Sequence, residues 1–288
     1  MTAEPSGLQV TDENSEGLST DAVEYMAFLA RSEHRLRVLD LLADGERSRE
    51  ELREPLEATR VTLSRILGDL EDRGLVRRTN VGRGYELTPF GEVVHRDFAQ
   101  LLGTVSVGQA FPDLVSRLPT DWFDFDLRCL ADGEHVHGKS ADPLAAARVV
   151  ANALRDGSSC EALVGTFTSL PMHAHEEDIR EGTDAEAHVV FDANVTKTML
   201  EDQSLRATWQ RIEAATDGTV YYSLDERLPC TVDLIDDETV FLTVSRGERA
   251  DFDIVSCSHP DVLAWADHVI GEYRDRAVPL SQRASVDH

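Results

Sequence analysis

Apolar residues recur at helical spacing near the start of the chain and predict a series of short helices. Leucine and valine side chains between residues 32 and 43 fall on one helical face, and this helix is expected to end at Gly45. Ser48 and Glu51 form an S-x-x-E capping box, a pattern that starts a helix. Pro55 is expected to end that second helix, because the residue before a proline disfavours helical backbone angles.

A third helix follows and leads into a hairpin. Thr59 is a candidate N-cap, and Gly74 is a candidate glycine just past the helix end. The apolar positions between them fall four and three residues apart, as expected for one buried stripe: Leu63, Leu67 and Leu70. Residues 75–87 predict two strands around a basic, glycine-rich tip, and Thr88-Pro89 predicts another helix start.

The ordered features of residues 32–91 resemble those of the ArsR/MarR-type winged helix-turn-helix family. The resemblance is carried by Ser48, Glu51-Leu52, Ser64-Arg65, Leu70, Gly74-Leu75-Val76 and Leu87-Thr88. It implies a helix that enters the DNA major groove, double-stranded promoter DNA as the partner, and binding as a homodimer. Two residues depart from the pattern: Pro55 shortens the first helix of the motif, and Glu57 stands where the turn usually has a glycine. The alternative is a winged-helix interaction module that binds protein without specific DNA binding.

Polar and basic side chains off the apolar stripe are the candidate DNA contacts. They lie on the third helix and on the hairpin, where base edges and phosphates would be met: Thr59, Arg60, Thr62, Ser64, Arg65, Arg77, Arg78 and Arg83. Charge supports this placement, because residues 31–97 are nearly neutral although the whole chain carries a net charge of −26.

The remaining acidity has its own interpretation. Asp and Glu number 54, whereas Lys139 and Lys197 are the only lysines. This composition resembles that of salt-in haloarchaeal proteins, which work in molar KCl, where the Debye length is about 3 Å and self-repulsion is screened. An ordinary acidic cytoplasmic protein is the alternative. We expect a cytoplasmic location, because no apolar run approaches membrane-spanning length and the N-terminus has no signal-peptide pattern.

Beyond residue 110, strands alternate with helices and then follow one another in series. Helices are predicted over 145–154, 171–182, 194–215 and 260–276, and strands over 160–167, 187–191, 219–224, 230–235, 239–245 and 252–256. This order predicts an α/β domain with a mixed sheet. The predicted organisation is therefore a disordered acidic tail (1–19), a winged helix-turn-helix domain (20–88), a linker or dimer helix (89–110), an α/β effector domain (111–278) and a flexible tail (279–288).

The linker helix carries one apolar stripe of about four turns. The stripe consists of Phe90, Val94, Phe98, Leu101 or Leu102, and Val105. It can pair with a second copy of the chain or pack within its own chain. Both interpretations remain open from the sequence.

The order of elements in residues 112–277 resembles the middle domain of archaeal methanogenesis-regulator (FilR-type) transcription factors. The segments Thr239–Val244 and Phe252–Arg274 carry the resemblance. It implies a one-component archaeal regulator with a C-terminal sensor domain, and it implies no particular ligand.

Candidate catalytic and metal-binding patterns in this domain are incomplete, so we expect no enzyme, no cofactor and no resident metal. An H-x-K pair occurs once, at His137 and Lys139, whereas phospholipase-D-like chemistry needs two H-x-K-x4-D motifs. The pairs His135/His137 and His173/His175 could each present two imidazoles on one strand face, which leaves metal sensing as a lesser alternative. Four well-separated cysteines are expected to be buried free thiols, with a redox sensor as the alternative.

A small-molecule effector is the expected ligand of the domain. Open α/β sheets bind ligands beyond the carboxyl ends of parallel strands. Two such ends carry polar side chains just before a helix, where anions are favoured: Thr166, Thr168, Asp192 and Asn194. The alternative is that these residues are simply helix caps.

Overall fold

The computed structural model describes residues 19–79, 84–137, 144–182, 186–245 and 252–286. The chain forms two compact units, Met1–Ala99 and Gln100–His288. The boundary falls inside one continuous helix, within the segment for which a linker helix is predicted. The predicted acidic tail, 1–19, lies almost entirely outside the described residues.

The first unit consists of short helices and a small sheet. Its elements are α1 (Thr20–Ala30), α2 (Glu33–Ala43), β1 (Arg47–Ser48), α3 (Arg49–Leu56), α4 (Arg60–Glu71), β2 (Val76–Arg78), β3 (Gly84–Leu87) and the start of α5 (Pro89–Ala110). The strands form an antiparallel sheet in the order β1-β3-β2. The arrangement is that of a winged helix-turn-helix, with β2 and β3 as the wing.

Local sequence signals account for most of these boundaries. The capping box predicted at Ser48 and Glu51 is present in both directions. Thr59 caps α4 by accepting a hydrogen bond from the Thr62 N–H at 3.1 Å. Gly74 follows α4 with a φ of 69°, the left-handed conformation that glycine adopts without strain. Leu63, Leu67 and Leu70 are buried, as predicted.

The end of α3 differs from the prediction. Pro55 lies inside the helix, which continues to Leu56. A proline this close to the helix end removes only one backbone hydrogen bond, so the helix tolerates it. The helix ends instead at Glu57, which adopts a left-handed conformation with a φ of 49°. Glu57 therefore takes the backbone geometry that the missing glycine usually supplies.

The second unit is built around one large sheet. Its helices are the end of α5, α6 (Pro112–Val115), α7 (Ala145–Asp156), α8 (Leu170–Glu181), α9 (Ala193–Glu201), α10 (Gln203–Ala215), α11 (Pro260–Arg276) and α12 (Leu280–Val286), with 3₁₀ helices at Thr120–Trp122 and Leu127–Leu130. Its strands are β4 (Glu134–His137), β5 (Ser159–Val164), β6 (Glu186–Phe191), β7 (Thr219–Ser223), β8 (Thr231–Ile235), β9 (Thr239–Ser245), β10 (Phe252–Cys257) and β11 (Val278–Pro279).

The eight strands have the order β11-β7-β6-β5-β8-β9-β10-β4. Strands β5, β6 and β7 run parallel to one another, and the other pairs are antiparallel. The predicted mixed α/β architecture is confirmed. Alternate residues along the central strands enter two separate apolar cores, so each face of the sheet is covered. On one face the core includes residues of α11, and on the other it includes residues of α7, α8, α9, α10 and α12.

Two predicted elements of this unit differ from the structure. The single helix predicted over 194–215 is two helices, because Asp202 is extended and its carboxylate accepts hydrogen bonds from the first N–H groups of α10. The tail predicted to be flexible, 279–288, contributes to β11 and forms α12, whose Leu280 is fully buried. The helix predicted over 171–182 is present as α8, and it carries His173 and His175. In the described part of the chain, no helix has the length and apolarity needed to cross a membrane.

Candidate functional site

Helix α4 presents one exposed polar arc opposite its buried stripe. Its buried side chains are Leu63, Ile66, Leu67 and Leu70. Arg60, Ser64 and Arg65 of the predicted DNA contacts are exposed on the other side. Thr59 and Thr62 lie at the N-terminus of α4, where their hydroxyl groups are 2.8 Å apart. The prediction from sequence omitted Val61, whose side chain is 79% exposed within this arc. The position of Val61 off the stripe of buried leucines is the feature of the sequence that indicates its exposure.

Three of the predicted arginines, Arg60, Arg77 and Arg78, already have carboxylate partners. Arg60 lies 3.4 Å from Glu50 of α3. On the wing, Arg77 lies 2.8 Å from Glu86. Neighbouring carboxylates therefore offset part of the positive charge that these arginines bring to the surface.

Arg78 is held by a two-pronged contact with Glu71, at the end of α4. Its Nε and Nη2 atoms donate to the two carboxylate oxygens at 3.0 and 3.2 Å. This hydrogen bonding raises the pKa of Arg78. The contact joins β2 of the wing to the C-terminal end of α4. Arg83, the predicted contact at the wing tip, lies outside the described residues.

Among the predicted arginines that the structure describes, Arg65 is the one without a carboxylate partner. It is exposed in the middle of α4, and no ion pair or hydrogen bond joins its side chain to another residue in the described ranges. A guanidinium group without a carboxylate partner keeps all five of its N–H donors available. Arg65 is thus the side chain of this surface that is best prepared for a base edge or a phosphate.

Helix α4 is anchored from behind by a cation–aromatic stack. Arg35 of α2 donates to the Phe28 carbonyl at 2.7 Å and pairs with Asp69 of α4 at 3.3 Å. Its guanidinium carbon lies 3.8 Å from the centre of the Phe28 ring, and that of Arg73 lies 3.6 Å from the same centre. These contacts fix α4 against α1 and α2 and leave its polar arc unobstructed.

The second unit has a cavity of about 100 Å³ between the sheet and helices α7 and α8. Its walls are mostly apolar, with Val150 and Met172 from the helices and Ala162 and Phe191 from the strands among them. The predicted ligand residues Thr166 and Thr168, just beyond the end of β5, also line it. An apolar cavity with a few polar groups is the usual form of a small-molecule site.

Asp233 is the unexpected member of this cavity. It lies on the central strand β8, only 8% of its surface is exposed, and its neighbours across the sheet are Ala162 and Phe241. Its carboxylate forms no hydrogen bond or ion pair with any part of the chain that the structure describes. Burial raises the pKa of Asp233 to about 7. The sequence predicts a strand here but does not indicate that this carboxylate lines a cavity.

The other titratable groups of the cavity are neutral near pH 7. Burial raises the pKa of the Cys160 thiol well above its usual value and that of the Tyr221 hydroxyl as well. Burial lowers the pKa of His175, whose Nε2 lies 2.8 Å from the Thr219 hydroxyl. Asp233 is therefore the group in this described lining that can carry a charge at neutral pH.

The two other predicted ligand residues do not line the cavity. The Asp192 carboxylate caps α9, accepting from the Val195 N–H at 2.8 Å, and is buried. The Asn194 amide lies against Arg227, with Nε of that arginine 2.8 Å from the amide oxygen. The four residues thus divide into two at the cavity and two that serve as a cap and a surface contact.

The described residues include one loose cluster of potential metal ligands, and it contains none of the paired histidines. Ligand atoms of Cys129, His259 and Asp261 lie within 4.8 Å of one another in the described part of the chain. His259 Nδ1 already accepts the Asp261 N–H that begins α11. Burial raises the pKa of Cys129, which disfavours the thiolate that a metal needs. All four cysteines are buried free thiols, as predicted.

The predicted histidine pairs lie on different elements, His135 and His137 on β4 and His173 and His175 on α8. His173 is half exposed and lies 3.7 Å from Glu176, whereas His175 is buried. His135 Nε2 lies 3.3 Å from the buried Asp253 carboxylate. Lys139 of the H-x-K pair lies outside the described residues. His135, His173 and His175 therefore each contact a different neighbour.

Two family models match this chain. Residues 23–110 match the HVO_A0261 N-terminal domain. Residues 143–276 match the middle domain of the methanogenesis regulatory protein FilR1, in agreement with the resemblance found in the sequence. No curated protein matches the chain.

Matches among solved structures are distant in sequence. TrmBL2, an archaeal chromatin protein, is 14% identical with a TM-score of 0.36, over 90% of this chain and 100% of that one. Nuc, a phospholipase D family member from Salmonella typhimurium, is 17% identical with a TM-score of 0.37, over 51% of this chain and 98% of that one. The transcriptional repressor BigR from Xylella fastidiosa is 24% identical with a TM-score of 0.26, over 28% and 83%.

Proposed function

We propose that this chain is a transcriptional regulator that binds double-stranded promoter DNA through α4 and the β2–β3 wing. The observation that carries the proposal is the exposed arc of α4, where Arg60, Ser64 and Arg65 lie opposite a fully buried stripe. Guanidinium and hydroxyl groups on one helical face suit the donor and acceptor pattern of the major groove. The exposed Val61 adds an apolar group that suits a thymine methyl.

The alternative, a module that binds protein, fits this surface less well. Protein interfaces are usually enriched in aromatic residues, methionine and arginine. The exposed arc of α4, formed by Arg60, Val61, Ser64 and Arg65, has the arginines but no aromatic or methionine side chain. The match of the second unit to a domain of a regulatory protein also favours a regulator. The proposed role of that unit is to bind a small-molecule effector.

The exposed apolar residues of α5 support a homodimer. Phe98 and Val107 are buried, but five apolar side chains remain exposed along the helix: Phe90, Val93, Leu101, Leu102 and Val105. A second copy of α5 is the partner with a matching apolar face, as in other isologous helix pairs. The predicted stripe is therefore shared, with some members packed within the chain and others available for pairing.

DNA binding is tested with duplexes selected from a random pool by the full-length protein in molar KCl. Fluorescence anisotropy then compares a selected duplex with a scrambled one. Arg65→Ala is expected to weaken specific binding about tenfold to hundredfold, because a good contact to a base contributes about 1–3 kcal/mol. Arg60→Ala is expected to have a smaller effect, because Arg60 must leave Glu50 before it can bind DNA.

Arg180→Ala is the matched control, since Arg180 is similarly exposed but lies on α8 of the second unit. It is expected to leave binding unchanged. Wild-type affinity in the Arg60→Ala/Arg65→Ala double variant, with an unchanged circular dichroism spectrum, would refute the assigned interface. Selection of no duplex at all would favour the protein-binding alternative.

The dimer is tested by sedimentation in the same salt. Leu101→Glu combined with Val105→Glu is expected to convert the dimer into a monomer, because the two charges would be buried in the pair. Leu144→Glu is the control, since Leu144 is equally exposed but lies outside α5. A monomeric wild type, or a double variant that stays dimeric, contradicts pairing through α5.

A further inference from the structure

The cavity of the second unit combines an apolar enclosure with one unsatisfied acidic group. Asp233 projects from the central strand of the sheet and lines the cavity, yet it has no partner among the described residues. An unpaired buried carboxylate is costly, and native structures seldom keep one without a use. The missing partner is therefore the feature that needs an explanation.

The lining also determines the sign of the missing charge. Its described residues include no lysine or arginine, and its titratable members other than Asp233 are a histidine, a cysteine and a tyrosine that burial keeps neutral. An anion would find no compensating charge and would meet a carboxylate. A cation would find one, in a low-dielectric space where the attraction is strong.

A second polar group lies close to Asp233 on the same face of the sheet. Thr243 of β9 is paired with Thr231, two residues from Asp233 along β8, so Thr243 and Asp233 are diagonal neighbours. Such neighbours are about 7–8 Å apart, a distance that one donor group between them can bridge. Thr231 is already engaged by the Gly165 and Thr166 N–H groups, which leaves the hydroxyl of Thr243 for the ligand.

We propose that this cavity binds a small protonated amine with a compact hydrocarbon body, the ammonium group contacting Asp233 and Thr243 and the hydrocarbon contacting the apolar wall. The cavity volume of about 100 Å³ suits a short branched chain rather than a nucleotide or a sugar phosphate. Thr166 and Thr168 lie at the same cavity, so this site contains two of the four residues predicted from strand ends.

The proposed function bears on this site in one respect, which is that it makes the bound amine an effector of the regulator. Amine binding itself concerns the second unit and is measured without DNA. If the amine binds but no duplex does, the proposed function fails and the site stands. If a duplex binds but the amine does not, the site fails and the proposed function stands.

The test uses three probes of similar shape and different charge on the full-length protein in molar KCl: isobutylamine, isobutanol and isobutyrate. Binding is followed by titration with NMR detection. We expect isobutylamine to bind about tenfold or more tightly than isobutanol, because a hydrogen bond to a charged group contributes about 1.4 kcal/mol or more, a factor of ten. Isobutyrate is expected to bind most weakly of the three.

Asp233→Asn removes the charge at nearly constant shape and is expected to abolish the preference for the amine. Asp237→Asn, on the exposed β8–β9 turn, is the matched control and is expected to preserve it. The wild type alone gives an independent check, since amine affinity must fall as the pH decreases and Asp233 becomes protonated. Equal binding of amine and alcohol, a preference that survives Asp233→Asn, or affinity independent of pH between 5.5 and 8.5 would overturn the proposal.

Discussion

Because the buried carboxylate of Asp233 has no partner among the described residues, we predict that ionisation of Asp233 destabilises the folded protein. Burial raises the pKa of Asp233 in the folded chain to about 7, whereas an unfolded aspartate titrates near 4. The folded state therefore binds more protons than the unfolded state between these values. The contribution of protonated Asp233 to the free energy of unfolding is fully present below the pKa of the unfolded state. It is lost as the pH rises through the pKa of the folded state.

The size of the effect follows from the two pKa values. Each tenfold change in an ionisation constant corresponds to about 1.4 kcal/mol, so complete ionisation of Asp233 costs about 4 kcal/mol of folding free energy. Asp233→Asn keeps a neutral side chain of similar size and removes this cost. The variant is thus expected to be more stable than the wild type at pH 8.5, and its advantage is expected to shrink by about 2 kcal/mol at pH 5.5.

The measurement is urea unfolding followed by tryptophan fluorescence at a series of pH values in molar KCl. Trp122, Trp209 and Trp265 are the three tryptophans of the chain, and all lie in the second unit, so the signal reports on the unit that contains Asp233. Asp237→Asn serves as the control, with little change at any pH. An advantage of Asp233→Asn that is constant across the pH range, or a variant less stable than the wild type at pH 8.5, would refute the reasoning.

Two further substitutions test the backbone of the first unit. Glu57→Gly is expected to raise the free energy of unfolding by about 0.5–1 kcal/mol, because the strain of a left-handed non-glycine residue exceeds the entropy that glycine loses; thermal unfolding by circular dichroism measures it, and a destabilised variant would contradict it. Gly91→Ala is expected to cost about 3 kcal/mol in the same assay, because its methyl group would clash with the Leu75 carbonyl oxygen, a backbone atom of the neighbouring segment. Wild-type stability of this variant would contradict the expected clash.

Features encoded by neighbouring residues could be predicted from the sequence. The caps at Ser48 and Thr59 and the glycine at Gly74 act over three or four residues, so a local pattern identifies them. The β8–β9 hairpin is equally local, since Asp236 and Asp237 both adopt positive φ values at the centre of a tight turn in which the Glu238 N–H donates to the Ile235 carbonyl. These local signals predict the boundaries of the helices and turns in the winged helix and in the mixed sheet.

Features that depend on distant residues could not be predicted. Thr231 and Asp233 alternate with apolar residues, a pattern typical of a strand with one face in water. Strand β8 is instead central, with β5 and β9 on its two sides, and α7 and α8 cover the face that carries Asp233. The pairing of β5 with β8 joins segments about 70 residues apart, and nothing within β8 indicates it. The buried carboxylate is a product of this topology.

The charges around α4 bear on how the proposed regulator would bind DNA. With a net charge of −26, the protein as a whole repels a phosphate backbone, and three arginines of the proposed interface are paired with Glu50, Glu86 and Glu71. Because a phosphate contact by any of these three would break an ion pair, the proposed interface gains little from counterion release. The proposal therefore assigns its affinity to base edges and shape, with the exposed Arg65, Ser64 and Val61 of α4 as the candidate base contacts.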